Sequence, residues 1–298
     1  MPDYITLTNG TLQAQIALKG AELRGLSMQN IPFLHDANPE YWNRVAPYLF
    51  PNVGALKGGK TIINGQEYRL PKHGFFRDTV FEVASLTSDT AELTCKASET
   101  TLAMYPFHFL IRVKYELTPS ALKAEIAIQN QTPGQIMPFN FGLHPAFRVP
   151  LRDETAFEEY QIVFEHAETA ALPTVDLSTG LIDETKVFRT YSNLKTLNLN
   201  HNDYQNDALI FSPVKSRALT LKHAKQGIGI RFSFTPFPTI AIWSPNHVKA
   251  PFIALEPWIG QADPPQSSGL FETKKDLIFL KPDEVFVIKY AMEPFIGD

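Results

Sequence analysis

Three short segments of this chain set a titratable residue among Gly, Pro and aromatic rings. They are Lys72-His73-Gly74-Phe75-Phe76-Arg77-Asp78, Asn140-Phe141-Gly142-Leu143-His144-Pro145-Ala146-Phe147 and Ala254-Leu255-Glu256-Pro257-Trp258-Ile259-Gly260. Gly allows a backbone to approach a ligand closely, and Pro fixes a loop. Aromatic rings offer flat apolar faces to a ligand ring. Taken singly, each residue has a bland reading. A His beside Gly is an ordinary hydrogen-bonded loop residue, and an acid after Phe252-Ile253-Ala254-Leu255 is a solvated strand end. Together, His73, His144 and Glu256 suggest one acid–base pocket, because imidazole titrates near neutral pH and donates or accepts a proton beside a carboxylate.

Other motifs lack the context their mechanisms require. Gly54-Ala55-Leu56-Lys57-Gly58-Gly59-Lys60-Thr61 matches the phosphate-loop pattern, which needs a helix to start at Lys-Thr. Here the β-branched Thr61-Ile62-Ile63 runs straight into Asn64-Gly65, so the expectation is a glycine-rich turn entering a hairpin. Gly227-Ile228-Gly229 has no third Gly at Phe232, and no G-x-S-x-G elbow occurs. Cys95 lies in an alternating pattern and reads as core. The eight His form no compact metal-ligand spacing, so no metal is expected.

The elements that must position the three segments read as short strands. The chain holds 23 Pro and 22 Phe, which break helices and favour strands respectively. Tyr4 to Thr8 and Leu12 to Ala17 flank Asn9-Gly10. Thr61 to Ile63 and Tyr68 to Leu70 flank Asn64-Gly65. Asn-Gly suits a type I′ hairpin turn, since both residues tolerate positive φ. Further strands are expected at Phe81 to Leu86, Ala91 to Ala97, Phe107 to Leu117 and Leu122 to Ile128. The series continues at Leu209 to Phe211, Ala218 to Leu221, Ile228 to Phe234, Ile240 to Trp243, Phe252 to Leu255 and Val285 to Tyr290. Asn38 before Pro39-Glu40-Tyr41-Trp42 predicts one helical turn. Arg152 to Asp183 reads as long loops. With no linker or repeat, residues 1–298 are expected to form a single large antiparallel β-sandwich.

Composition narrows the function. The 298 residues carry 27 Lys+Arg, 31 Asp+Glu and a net charge of -4, which argues against a nucleic-acid binder. Charged residues are 19% and apolar residues 44%, fitting an ordered core. No apolar run reaches the roughly 20 residues of a membrane span. Met1-Pro2-Asp3-Tyr4 lacks the basic and apolar regions of a leader. With a lone Cys95, this points to a cytoplasmic setting.

The chain resembles the aldose 1-epimerases (mutarotases), particularly their LacX-like branch. The resemblance rests on Pro47-Tyr48-Leu49-Phe50-Pro51-Asn52-Val53-Gly54, the His73 and His144 segments, Asn206-Asp207-Ala208-Leu209-Ile210-Phe211 and Leu255-Glu256-Pro257-Trp258. Their order and spacing fit over nearly the whole chain. The resemblance implies a galactose mutarotase-like supersandwich, an open sugar cleft, no cofactor and a small-molecule sugar as partner. It implies that His73 binds the sugar near its ring oxygen and that His144 protonates that oxygen. Glu256 would take the proton of the anomeric hydroxyl, and Asp207 would bind sugar hydroxyls. Classical members carry an early Arg where this chain reads Val53-Gly54-Ala55-Leu56-Lys57. Lys57 would stand in as a cation without the bidentate fork of Arg, so the preferred sugar stays open, as does the oligomeric state.

Two other functions compete. One is a non-catalytic carbohydrate-binding or regulatory module on the same fold. The other is a glycosidase using Glu256 and Asp207. From Arg44 to Asp78, six bases (Arg44, Lys57, Lys60, Arg69, Lys72 and Arg77) face two acids, Glu67 and Asp78. Such a run is usually a solvated face. The alternative is a cationic rim for a sugar phosphate, with Arg77 gripping the phosphate.

Overall fold

The computed structural model describes residues 3–297, so Met1 and Pro2 of the N-terminal reading lie outside it. Nearly all regular structure is β, and every paired strand is antiparallel to its partner. A nine-stranded sheet runs from Ile182–Asn198 at one edge, through Val285–Ile296 at its middle, to Glu82–Leu86 at the other edge. A six-stranded sheet contains Leu209–Phe211, Thr239–Trp243, Phe252–Ile259, Phe141–Leu143 and Tyr48–Leu49, with Ala146–Arg148 also paired to Phe252–Ile259. A four-stranded sheet begins at Tyr4–Thr8.

Alternation explains the large sheet. Leu122–Asn130 buries every second residue, and so does most of Phe109–Leu117. By contrast Phe252–Ile259 is buried throughout, since it has neighbours on both edges and both faces. Rings fill the space between layers. Phe50 packs edge-on to Phe75, Phe76, Tyr105, Phe109 and Phe139 at 5.5–6.3 Å between centroids. Three buried hydroxyls also bridge the six- and nine-stranded sheets. Tyr48 Oη lies 2.6 Å from Tyr115 Oη and 2.9 Å from Tyr290 Oη, and Tyr115 donates to Ala21 O at 2.9 Å.

The two Asn-Gly turns differ. At Asn64 (φ 51°) and Gly65 (φ 79°) both residues are left-handed, and Ile63 pairs directly with Gln66, as the type I′ expectation requires. At Asn9-Gly10 only Gly10 is left-handed. The Asn9 side chain instead accepts from the N–H groups of Thr11 and Leu12, which makes a longer connection. The Lys-Thr of the phosphate-loop pattern lies in a strand, Lys60–Ile63, after a single 3₁₀ turn at Lys57–Gly59. Pro39–Trp42 forms one turn on Asn38 and no helix. Cys95 is buried, and burial pushes its thiol up to about 12.

Arg152 to Asp183 is not mainly loop. It contains all of Tyr160–Val175, a 16-residue strand paired with the 17-residue Ile182–Asn198. Four register shifts interrupt the pairing. The shifts are of one or three residues, odd numbers that exchange the two faces of the pairing, so the period-two signal is lost although the ladder continues.

The loop that carries His73 is held in large part through its backbone. His73 and Gly74 both have φ of 69°, and Phe50 O accepts from the N–H of Phe75 at 3.0 Å and of Phe76 at 3.3 Å. A Cβ on Gly74 would lie 2.1 Å from Phe50 O. Gly74→Ala should therefore cost on the order of 3 kcal/mol or more. Gly65→Ala, at φ 79° with nothing within 4 Å, should cost only about 1–2 kcal/mol. Equal losses in chemical denaturation would contradict this account of the loop.

Candidate active site

His73, His144, Glu256, Asp207 and Arg77 line one cleft of about 210 Å³. Lys57 does not line it. Its ammonium group bonds to Ser267 O at 3.4 Å on the exposed surface, and its backbone N–H donates to Asp263 Oδ2 at 3.0 Å. The cation that lines the cleft beside Arg77 is Lys72, adjacent to His73 but unchosen because a Lys in a basic run looks solvated. The sequence reading also passed over Trp42 and Trp243, which line the cleft with Trp258. The tip of the unexpected hairpin supplies a wall through Val175, Gly180 and Ile182. A larger hollow, about 520 Å³ around Lys114, Arg231 and Lys289, contains none of the candidate residues. Its edges are surface ion pairs such as Lys289–Glu125 at 2.9 Å.

The centre is a buried pair. His144 Nε2 stands 3.1 Å from Glu256 Oε2, with the side chains 9% and 3% exposed. Glu256 comes from the fully buried strand Phe252–Ile259, opposite the small Ala241. His144 occupies the break between Phe141–Leu143 and Ala146–Arg148, both paired to that strand. Trp42 stacks on the His144 imidazole at 4.6 Å and 27°, and Trp243 meets it edge-on at 5.5 Å. These rings exclude water from one side of the pair. Burial pushes His144 down to about 3. Burial, and secondarily Asp207, push Glu256 well above the carboxylate range, while Lys72 and the Trp258 indole act in the opposite direction.

His73 lies 5.9 Å from His144, ring to ring. Its Nδ1 accepts from the Gly54 N–H at 3.1 Å, and the His73 backbone N–H donates to Gly54 O at 3.0 Å. An Nδ1 that accepts leaves the neutral ring's proton on Nε2. Burial, then His144 and Lys72, hold His73 well below the histidine range. His73 is therefore a neutral Nε2–H donor and not a reservoir of acid. Gly54 must be glycine, because a Cβ there would sit 2.5 Å from Ala262 Cβ. Behind Ala262, Lys274 and Asp263 form a buried ion pair at 2.6 Å.

Asp207 lies at the other end, with φ of 69°, and its Oδ1 accepts from Trp243 Nε1 at 2.8 Å. Arg77 donates to Lys72 O at 2.8 Å. Two cations thus flank His73 and one carboxylate flanks Glu256. Among the described residues no group of three or more His, Cys, Asp or Glu could hold a metal ion.

These shifts set a pH dependence of stability. Below about 6.5 the unfolded chain protonates His73 while the folded protein holds it neutral. The unfolded state then binds the extra proton, so stability falls as pH falls. His73→Asn keeps an acceptor for the Gly54 N–H and removes this titration. Between pH 6.5 and 5, the variant should lose less stability than wild type by about 1.4 kcal/mol per pH unit. Urea unfolding at the two pH values checks this, and parallel losses would show that His73 titrates normally.

The sequence profile of the family described as aldose 1-epimerase matches residues 3–293. Protein LacX (plasmid) of Lactococcus lactis subsp. lactis is 32% identical over 284 residues, covering 93% of this chain and 95% of that protein. A galactose mutarotase related enzyme from Lactobacillus acidophilus superposes with a TM-score of 0.92 at 27% identity, over 98% of this chain and 97% of that one. A galactose mutarotase-like protein from Lactobacillus casei ATCC 334 gives 0.88 at 27% identity, over 98% and 100%. The profile match, the LacX relative and the shared fold agree: the chain belongs to the aldose 1-epimerase family.

Proposed function

We propose that the protein is a cofactor-independent aldose 1-epimerase, interconverting the α and β anomers of an aldose. The observation that carries this reading is the direct contact of His144 Nε2 with Glu256 Oε2 inside an aromatic-walled cleft. Anomer exchange needs one base and one acid within reach of two oxygens on the same carbon. Glu256 removes the proton from O1 as the carbonyl forms, and His144 gives a proton to the ring oxygen as its bond to C1 breaks. After the aldehyde rotates, the ring closes on the other face and both protons return. No proton is gained or lost over the cycle, so a pair sharing one proton is enough. His73 Nε2–H orients the ring oxygen, and Asp207 accepts from sugar hydroxyls.

A pure binding module would need no such pair. In a glycosidase Asp207 would have to act as a free carboxylate, yet one of its oxygens is engaged by Trp243. Polarimetry of freshly dissolved α-aldoses separates the readings. The wild type should speed mutarotation of at least one sugar in a broad panel. On that sugar, Glu256→Gln and His144→Asn, both folded, should each lose about 10² or more in kcat. His73→Asn should lose less. Near-normal turnover in either of the first two variants would remove that residue from the mechanism.

The charge distribution favours an aldose phosphate as the substrate. Of the six bases in the basic run, Arg44 is bound to Asp78 at 3.1 Å and Lys60 to Glu67 at 2.7 Å, while Arg77 Nε keeps a longer 3.8 Å contact with Asp78. Lys72 and Arg77 line the cleft at the His73 end. The phosphate cannot be on O1, which must carry the exchanged proton. It would lie on the exocyclic carbon attached next to the ring oxygen, toward His73. A hexose 6-phosphate should therefore have kcat/KM at least equal to the free hexose, and Arg77→Ala should lower that ratio about tenfold. Added salt should lower it too. Equal losses for both sugars, with no salt effect on the ratio, would make Arg77 structural.

A further inference from the structure

Glu256 has a second neighbour whose role the acid–base scheme leaves open. Trp258 lies two residues along the same strand, so its side chain shares the cleft face with Glu256. Its ring is buried, 6% exposed, and its Nε1–H lies near enough to Glu256 to favour the ionised carboxylate but completes no well-formed hydrogen bond to any described protein group. A buried indole N–H without an acceptor is costly and uncommon. The ring is firmly placed. Gly142 pairs with Trp258 across the sheet, and a Cβ on Gly142 would lie 3.0 Å from Trp258 Cδ1 and 2.9 Å from Leu49 Cδ1. A side chain at position 142 would displace the indole, so the glycine in the His144 segment makes room for it.

The base scheme creates a need at this point. Glu256 must be ionised to accept the O1 proton, but it is buried and faces the Asp207 carboxylate. The His144 contact is made to Oε2. Lys72 offers charge to the carboxylate without a hydrogen bond among the described residues. His73 faces His144 and is held neutral. The Trp258 N–H is thus the neighbouring donor that leans toward the carboxylate without completing its hydrogen bond. We propose that Trp258 is a positioning residue whose indole N–H closes onto Glu256 when the carboxylate is ionised, holding it as the base while His144 turns to the ring oxygen.

The inference rests on the anomer-exchange reading for its kinetic consequence, but not for the contact itself. The chain has three Trp, so ¹⁵N-indole labelling gives three N–H signals, assigned with Trp42→Phe and Trp243→Phe. In the wild type the Trp258 signal should move downfield as Glu256 ionises. Its midpoint should match loss of the carboxylic-acid infrared band that Glu256→Gln removes. The movement should be absent in Glu256→Gln. In Trp258→Phe the infrared midpoint should rise by about one pH unit. The low-pH limb of kcat should follow it upward, with KM within about twofold. A Trp258 signal that does not respond to Glu256, measured in wild type and needing no Trp258 variant, would overturn the proposal. So would an unmoved infrared midpoint in folded Trp258→Phe. If the wild type shows no mutarotation, the proposed function fails, and the two titrations still decide the contact.

Discussion

An imidazole and a carboxyl group stand 3.1 Å apart in a cleft that hides both from bulk water. Burial favours their neutral forms, drawing His144 down and Glu256 up. Transferring a proton through a sugar requires charge separation in that place. The surroundings must then supply what water would have supplied, and they do so unevenly. Rings close one side of His144 and a cation faces Glu256. A neutral histidine is fixed in one tautomer nearby. Such preorganised dipoles need no rearrangement at the moment of transfer, whereas water would.

Placing these groups to within a few tenths of an ångström is the work of backbone pairing. Phe252–Ile259 is paired on both edges, which fixes Glu256 and Trp258 on the cleft face. A slip of one residue would put both on the other face. The loops are fixed by close approaches that only glycine allows, at Gly54 against Ala262 and at Gly74 against Phe50. Asp263 ties the far side together. It accepts from Lys274 and Ser267 and from the Lys57 backbone, while its own N–H donates to Ala55 O. A buried ion pair of this kind adds little net stability but penalises any arrangement that parts its members.

Much of this was legible in the sequence where chemistry and backbone geometry coincide. His73, His144 and Glu256 stand beside the Gly and Pro residues that shape their loops, and those residues are visible one by one. Asn64-Gly65 sets its turn through backbone conformation, so it reads correctly. Asn9-Gly10 does not, because there the Asn side chain competes for the turn N–H groups. The Tyr160–Val175 and Ile182–Asn198 hairpin was lost because bulges erase a period-two pattern without breaking the sheet. Lys57 and Lys72 are alike in sequence context. Only the fold sends one to Ser267 and the other into the cleft. Trp42 and Trp243 converge on His144 from segments 201 residues apart, a meeting that no local pattern encodes.

The tyrosine bridge between the layers has a direction. Tyr115 spends its only hydroxyl proton on Ala21 O, so the bond between Tyr48 and Tyr115 must be donated by Tyr48. The bond between Tyr48 and Tyr290 must then be donated by Tyr290. Protons therefore point one way along the series, from Tyr290 through Tyr48 and Tyr115 to the Ala21 carbonyl. The ends of such a chain are not equivalent under sequence drift. Losing the first hydroxyl strands no donor, whereas losing the third leaves the Tyr48 hydroxyl proton without its acceptor and the Ala21 carbonyl without its donor. Phenylalanine is a tolerable neighbour in sequence space at position 290 and a poor one at position 115, although both tyrosines are buried and chemically identical.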